Sequence, residues 1–376
     1  MRDDRRLRVL LATPLGKGGR GGIDRLNDAI LDVLAAEPDG SFAVERLVTR
    51  GQGNLLHGQF VFARALWQLF RAARRGQVDL LHICLAIRGS AYRKTFLAAC
   101  ARRLRVPYLV HVHGGNFEQF WSGTNSRLRR ALDRMFLGSA GIIVLAKSYE
   151  RIFTDRLPPT AGRIIVLPNA SRAADTEQEE AADGRVRITF LGEVGRRKGT
   201  PQLVEALGRL KGRTDWTATI AGNGDVDATR ARVEQLGIAE RVEVPGWLGP
   251  AATADLLRRT DVFVLPSTSE NLPMSIIEAF AHGIAVIATP VGCVGELVED
   301  GRNGLLVPVG NVEVLTDAIR RLIENPALRL SLGQAAREDH AARYEIHGYV
   351  RRLVDIWKDS VAGRSMIASG AARVPD

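Results

Sequence analysis

A chain of 376 residues is long enough for two domains, each with its own apolar core. Its 45% apolar and 25% charged residues exclude a mainly disordered, collagen-like or disulfide-stapled protein, and no nearly uncharged apolar stretch reaches the roughly 18 residues that a membrane-crossing helix needs. The net charge of +10 is uneven: residues 1–168 hold 27 Lys+Arg against 13 Asp+Glu, and residues 169–376 hold 25 against 29.

In chain order, Leu7 to Ala12 reads as a first strand, followed by a helical pattern from Ile23 to Ala36 and a strand from Phe42 to Val48. The basic start has too short an apolar run for a secretory signal. A basic amphipathic stretch, Gln59 to Arg75, precedes the strand Leu80 to Cys84, the helix Tyr92 to Arg103 and the strand Tyr108 to His113. Apolar strands alternating with helices predict a parallel sheet covered on both faces. After Ile142 to Leu145 and Ile164 to Leu167 comes a polar, acidic stretch, Ser171 to Gly184, and the strand series then restarts at Arg187 to Leu191. The later strands are Trp216 to Ala221, Val242 to Pro245, Val262 to Leu265 and Ala285 to Thr289. The pattern predicts an α/β protein of two doubly wound domains facing a central cleft: an N-terminal domain over 1–168, a linker over 169–185, and a second domain over 186–343. Cys84, Cys100 and Cys293 lie far apart without metal-ligand spacing, which fits a reducing cytoplasm.

Ligands of such sheets bind beyond the carboxyl ends of the strands. After the first strand, Gly16 to Gly22 forms a glycine-rich turn into a helix, whose amides suit a phosphate. Read literally, Gly16, Gly18 and Gly21 match a dinucleotide fingerprint, but the second strand offers no clean acidic partner. The strand ending at Leu191 delivers Gly192-Glu193-Val-Gly195-Arg196-Arg197-Lys198-Gly199, a flexed loop with three cations. Such a loop suits a diphosphate on which negative charge grows as it leaves. The strand ending at Leu265 delivers Glu270, Asn271 and Leu272, then a helix opened by Pro273 that carries Glu278 and stops at Gly283. Two carboxylates so spaced can bind two groups of hydroxyls on one extended ligand.

These residues carry a resemblance over nearly the whole chain. Gly21-Gly22, Val106-Pro107, His111-Val-His113-Gly114-Gly115, Leu167-Pro168-Asn169, Leu191-Gly192 through Lys198-Gly199, Ala221 to Gly224, Glu270 through Glu278 and Val291 to Pro308 resemble the retaining GT-B glycosyltransferases of family 4. The resemblance implies a hexosyl transfer from a UDP- or GDP-sugar with retention and without a metal. It implies that Glu278 binds the nucleotide ribose, that Glu270 binds the donor sugar near the reacting carbon, and that His113 faces that sugar. Arg197 and Lys198 would hold the diphosphate, assisted by Gly21 and Gly22 and by the amides of Asn271 and Leu272. Glu193 stands where the family usually has Arg, so one phosphate ligand is missing and Arg196 or Arg197 is the candidate to compensate. Asn271 replaces the usual Gly.

By the same resemblance the first domain binds the acceptor, and the segment 344–376 is a helix crossing back to it followed by a tail. A basic acceptor domain suits an anionic membrane surface and a lipid-linked acceptor in surface polysaccharide or glycolipid assembly. The expected location is the cytoplasm, peripheral at the inner face of the cell membrane, with no nucleic acid partner. Two other readings are an NAD(P)-dependent oxidoreductase built on the Gly16 to Gly21 loop, and a catalytically inactive GT-B nucleotide-binding assembly protein.

Overall fold

The computed structural model describes residues 6–19, 21–36, 42–174, 179 and 183–363. The expected tail, Ser365 to Asp376, and much of the acidic connection lie outside the described residues. The chain divides into two compact units: residues 1–169 with 346–376, and residues 170–345.

In the first unit the strands are β1 (Leu7–Thr13), β2 (Phe42–Val48), β3 (Leu80–Leu85), β4 (Tyr108–Val112), β5 (Gly141–Val144) and β6 (Ile164–Val166). They form one sheet in the order β2-β1-β3-β4-β5-β6, with every pairing parallel. β3, β4 and β5 are buried along their whole length. That explains why they read as nearly continuous apolar runs, interrupted by His82 and His111, rather than as alternations: helices cover both faces of the sheet. The helix Ile346–Ala362 belongs to this unit and inserts Trp357, fully buried, beside β3.

In the second unit the strands are β7 (Val186–Leu191), β8 (Trp216–Ala221), β9 (Val242–Gly246), β10 (Val262–Leu265), β11 (Ala285–Ala288) and β12 (Gly304–Leu306). Their order is β12-β11-β10-β7-β8-β9, again all parallel. The order reverses between β7 and β10. Neighbouring loops leave the sheet there in opposite directions and open a crevice at the strands' carboxyl ends, the site that this topology favours for ligands. In the first unit the corresponding reversal lies between β1 and β3.

Local differences from the sequence reading have simple causes. The helix expected from Gln59 begins at Leu55, because Asn54 caps it by accepting a hydrogen bond from the His57 amide at 3.0 Å. Pro273 is extended (ψ 124°) and precedes the helix Met274–Ala281 rather than forming its first turn. Gly283 follows that helix at φ +68°, the left-handed position that glycine supplies.

Candidate functional site

The loop after β7 is held open by glycines that nothing else can replace. A Cβ on Gly222 (φ +154°) would fall 1.5 Å from the carbonyl oxygen of Gly192, and one on Gly199 (φ +72°) would fall 1.9 Å from that of Pro266. These contacts press the loop after β7 against the loops after β8 and β10. The β10 contact is reinforced by Thr268, whose amide and hydroxyl both donate to the carbonyl of Arg197, at 2.9 and 3.1 Å.

This docking joins residues 72 positions apart. Lys198 Nζ donates to Glu270 Oε1 at 2.5 Å, and Ser267 Oγ donates to the same oxygen at 2.6 Å. Glu270 is only 7% exposed, so the pair lies in a medium where charges are costly unless matched. Both bonds land on Oε1, which leaves Oε2 for a ligand hydroxyl. The cation and the carboxylate assigned from sequence to diphosphate and to sugar thus form one unit.

Arg197 behaves differently. Its Nη2 donates to Glu193 Oε2 at 2.7 Å, in an exposed pair, and its Nη1 reaches the Ser269 carbonyl at 3.4 Å. Glu193, which stands where an Arg was expected, engages one of the two candidates for compensation. Arg196 is exposed on the same turn. Asn271 and Leu272 follow Glu270 and are both buried. Glu278 sits partly exposed on the helix Met274–Ala281, one and a half turns beyond them.

The remaining predicted residues belong to the first unit. Within the glycine loop after β1, Asp24 Oδ1 accepts from the amides of Leu15 and Gly16, at 3.1 and 3.2 Å, and Asp28 accepts from Gly18 at 2.9 Å. The donors that a dinucleotide fingerprint would offer are therefore occupied by carboxylates. Gly21 and Gly22, at the start of the helix Gly22–Ala36, are outside this arrangement.

His113 follows β4, its amide bonded to the Leu85 carbonyl at 2.8 Å and its ring tilted by 36° against that of His111 at 3.9 Å between centroids. Behind it runs a buried polar chain. Trp357 Nε1 donates to His82 Nδ1 at 3.0 Å, and His82 Nε2 lies 3.2 Å from His111 Nδ1. An indole can only donate, so His82 carries its proton on Nε2 and gives it toward His111, whose own proton then sits on Nε2. The Nε2 atoms of His111 and His113 are buried without a protein partner. Burial, then the charge of Lys94, push the His113 pKa down to about 3, so the ring is neutral at physiological pH.

Lys94, His82 and Asp24 are buried polar residues of the first unit that the sequence motifs did not single out. Lys94 is fully buried and donates to the Ala12 carbonyl at 2.8 Å and to Thr49 Oγ1 at 2.9 Å, which ties β1 to the end of β2. Burial pushes its pKa down to about 7. A lysine between Arg93 and Thr95 on a basic helix gives no local sign of this. Among the described residues, no group of three or more His, Cys, Asp or Glu side chains is arranged to hold a metal ion.

Comparison with known proteins bears on the same residues. The model of the glycosyl transferase 4-like domain matches residues 3–170, and that of the glycosyl transferases group 1 matches residues 171–339. A 2-deoxystreptamine glucosyltransferase of Streptomyces kanamyceticus is 28% identical over 326 residues, 80% of this chain and 83% of the relative. An alpha-D-kanosaminyltransferase of the same organism is 28% identical over 194 residues, half of each chain. A lipopolysaccharide core biosynthesis glycosyltransferase of Rhizobium meliloti is 31% identical over 178 residues, 47% of this chain and 49% of the relative. The chain thus spans about half the length of two of these relatives. Among solved structures, HepE of Anabaena in complex with UDP shares the fold, with a TM-score of 0.73, 17% identity, and coverage of 94% of this chain and all of the other.

Proposed function

We propose that this chain, which belongs to the GT-B glycosyltransferases of the group 1 and family 4-like kind, moves a sugar from a UDP- or GDP-sugar to a lipid-linked acceptor, with retention, in surface polysaccharide or glycolipid assembly. The observation that carries the donor half is the Lys198–Glu270 pair at the reversal of strand order in the second unit. There, Glu278 holds the ribose hydroxyls and Glu270 Oε2 takes a hydroxyl of the sugar. Lys198 stands beside the diphosphate, with Arg197 released from Glu193 as phosphate charge arrives. The amides of Asn271 and Leu272 add donors.

The chemistry follows from charge. A nucleoside diphosphate leaves readily once its developing negative charge is met by cations and amides already in place. Because Lys198 is already bonded to Glu270, it needs no reorganisation to do this. The acceptor hydroxyl attacks from the face the diphosphate leaves, and a phosphate oxygen receives its proton. His113 of the first unit, being neutral, can hydrogen-bond a hydroxyl without adding positive charge.

The acceptor half rests on the helix Leu55–Arg74. It buries Ala65 and Leu69 but leaves Leu56 80%, Phe60 70% and Trp67 56% exposed, and Phe70 is exposed beside them. Tyr92 and Phe96, each 54% exposed, continue this apolar surface on the helix Gly89–Arg103. Arg71 and Arg74 lie over the rings of Trp67 and Phe70, at 5.2 and 5.3 Å. Exposed aromatics interleaved with arginines match an anionic lipid surface, which takes the rings at its headgroup boundary and the guanidinium groups at its phosphates. The similarity to a lipopolysaccharide core enzyme points the same way.

The test is co-sedimentation at low salt with vesicles containing anionic phospholipid, and with vesicles of neutral phospholipid alone. The wild type should bind only the anionic vesicles, and the triple variant Phe60→Ser, Trp67→Ser, Phe70→Ser should lose most of that binding. Equal recovery with both vesicle types, or no binding to either, contradicts the membrane reading.

A further inference from the structure

We propose that the side chain of Asn271 donates a hydrogen bond from Nδ2 to an oxygen of the bound nucleotide sugar, which makes Asn271 a residue that sets donor affinity through its amide and not only through its backbone. The inference rests on the reading of residues 270–278 as the donor site.

Asn271 is 8% exposed and is gripped from one side by Cys293. The Cys293 amide donates to the Asn271 carbonyl at 2.9 Å, and Cys293 Sγ donates to Asn271 Oδ1 at 3.2 Å. The grip is tight because Gly292, at φ +60°, lets the chain pass where a Cβ would fall 2.3 Å from the Glu270 carbonyl oxygen and 3.1 Å from that of Asn271. With Oδ1 engaged by the thiol, the carboxamide has one orientation, and Nδ2 carries two hydrogens away from Cys293. Nδ2 is buried and has no partner in the protein.

A buried amide donor without an acceptor is destabilising, and proteins leave few such groups without a reason. Here the neighbouring residue is Glu270, whose Oε1 is saturated by Lys198 and Ser267 and whose Oε2 is not. A free donor and a free acceptor on adjacent residues suit an oxygen-rich ligand. The acceptor for Nδ2 is an oxygen of either a sugar hydroxyl or the diphosphate. A glycine at 271 would leave the backbone contacts and remove this donor, so the Asn is a feature of this chain's own donor recognition.

The experiment measures dissociation constants for UDP, UDP-glucose, GDP and GDP-mannose by calorimetry on the wild type, Asn271→Gly, Asn271→Ala, Asn271→Asp, Cys293→Ala and Cys293→Ser. For the pair that the wild type binds, Asn271→Ala and Asn271→Gly should weaken the nucleotide sugar by about tenfold, the loss typical of one polar contact in a closed site. If the acceptor is a sugar hydroxyl, the free diphosphate keeps its affinity and Asn271→Asp is tolerated. If it is a phosphate oxygen, both ligands weaken together and Asn271→Asp weakens them further by repulsion. Cys293→Ala should lose affinity in the same pattern to a smaller extent, and Cys293→Ser, which keeps a donor to Oδ1, should restore it. Unchanged affinities in folded Asn271→Ala and Asn271→Gly, or losses confined to melting temperature, overturn the inference. Glu278→Ala separates the two levels. If it abolishes nucleotide binding while the Asn271 variants bind normally, only this inference fails; if it also binds normally, the donor-site reading fails with it.

Discussion

Lys198 and Glu270, 72 residues apart in the chain, meet at 2.5 Å between the loops that leave β7 and β10. Their side chains are 14% and 7% exposed, so each is the main compensation for the other's burial. Removing one partner strands a charge. Lys198→Met or Glu270→Leu alone should therefore cost about 3 kcal/mol of stability. The double variant should cost clearly less than the sum of the two. Urea denaturation of the four proteins measures this coupling, and additive losses would show that the pair is not a unit.

The glycines around that pair should divide sharply. Gly222→Ala drives a Cβ to 1.5 Å from the Gly192 carbonyl at a φ of +154°, so the loops after β7 and β8 must separate. The expected loss is more than about 2 kcal/mol, and nucleotide binding should fall with it. Gly18→Ala meets nothing within 4 Å and carries only the strain of φ +71°. It should cost about 1 kcal/mol and leave nucleotide binding intact. Melting temperature and UDP or GDP titration on both variants check the contrast.

The buried polar chain of the first unit has a spectroscopic signature. The Trp357–His82–His111 geometry requires His82 and His111 to carry their protons on Nε2. Long-range nitrogen–proton correlation spectra should show both in that tautomer. Trp357→Phe removes the indole donor and should release His82 to mixed tautomers, whereas His82→Gln, which can both accept from Trp357 and donate to His111, should preserve the His111 form. A His82 that keeps the single Nε2 tautomer in Trp357→Phe would contradict the chain.

The same histidines give stability a definite pH dependence. Burial holds the folded-state pKa of His82 and His113 down at about 3 and that of His340 at about 4, and it holds His111 well below the usual 6.5. Below pH 6.5 the unfolded chain takes up protons that the folded chain refuses. Stability should hold above about pH 7 with respect to these groups and fall as the pH drops from 6.5 toward 4, each group contributing up to about 1.4 kcal/mol per pH unit. Lys94, lowered to about 7, acts with the same sign between pH 7 and 10. Urea midpoints from pH 8 to pH 5 should decline, with a shallower slope in His82→Gln. A flat or rising profile would contradict the buried, neutral state.

Much of the fold is legible from periodicity, because parallel strands buried on both faces leave unbroken apolar runs such as Val262 to Leu265. The glycine and glutamate loops are legible too: strand ends, positive-φ glycines and a helix start are local events. What the sequence hides is pairing across distance. Nothing local joins Lys198 to Glu270, Trp357 to His82 across 275 positions, or Cys293 to Asn271. Nor does spacing reveal which face of the helix Leu55–Arg74 is covered. Leu and Phe at helical intervals fit a core as well as a surface, and only the packed structure exposes Phe60 and Trp67. The Glu193–Arg197 pair, four residues apart, was within reach of a spacing rule. A reading of that loop as a set of phosphate cations passed over it.

The donor site at Glu270 to Glu278 is tested most directly by metal-free thermal shifts with UDP, GDP, ADP, NAD and NADP at equal concentration on the wild type and Glu278→Ala. A ligand at 100 times its dissociation constant stabilises by about 2.7 kcal/mol, which is readily measured. UDP or GDP alone should raise the wild-type midpoint, and Glu278→Ala should abolish the rise while keeping its own melting temperature near that of the unliganded wild type. A rise with NAD or NADP only, or an undiminished response to UDP or GDP in Glu278→Ala, would contradict the assignment of the site.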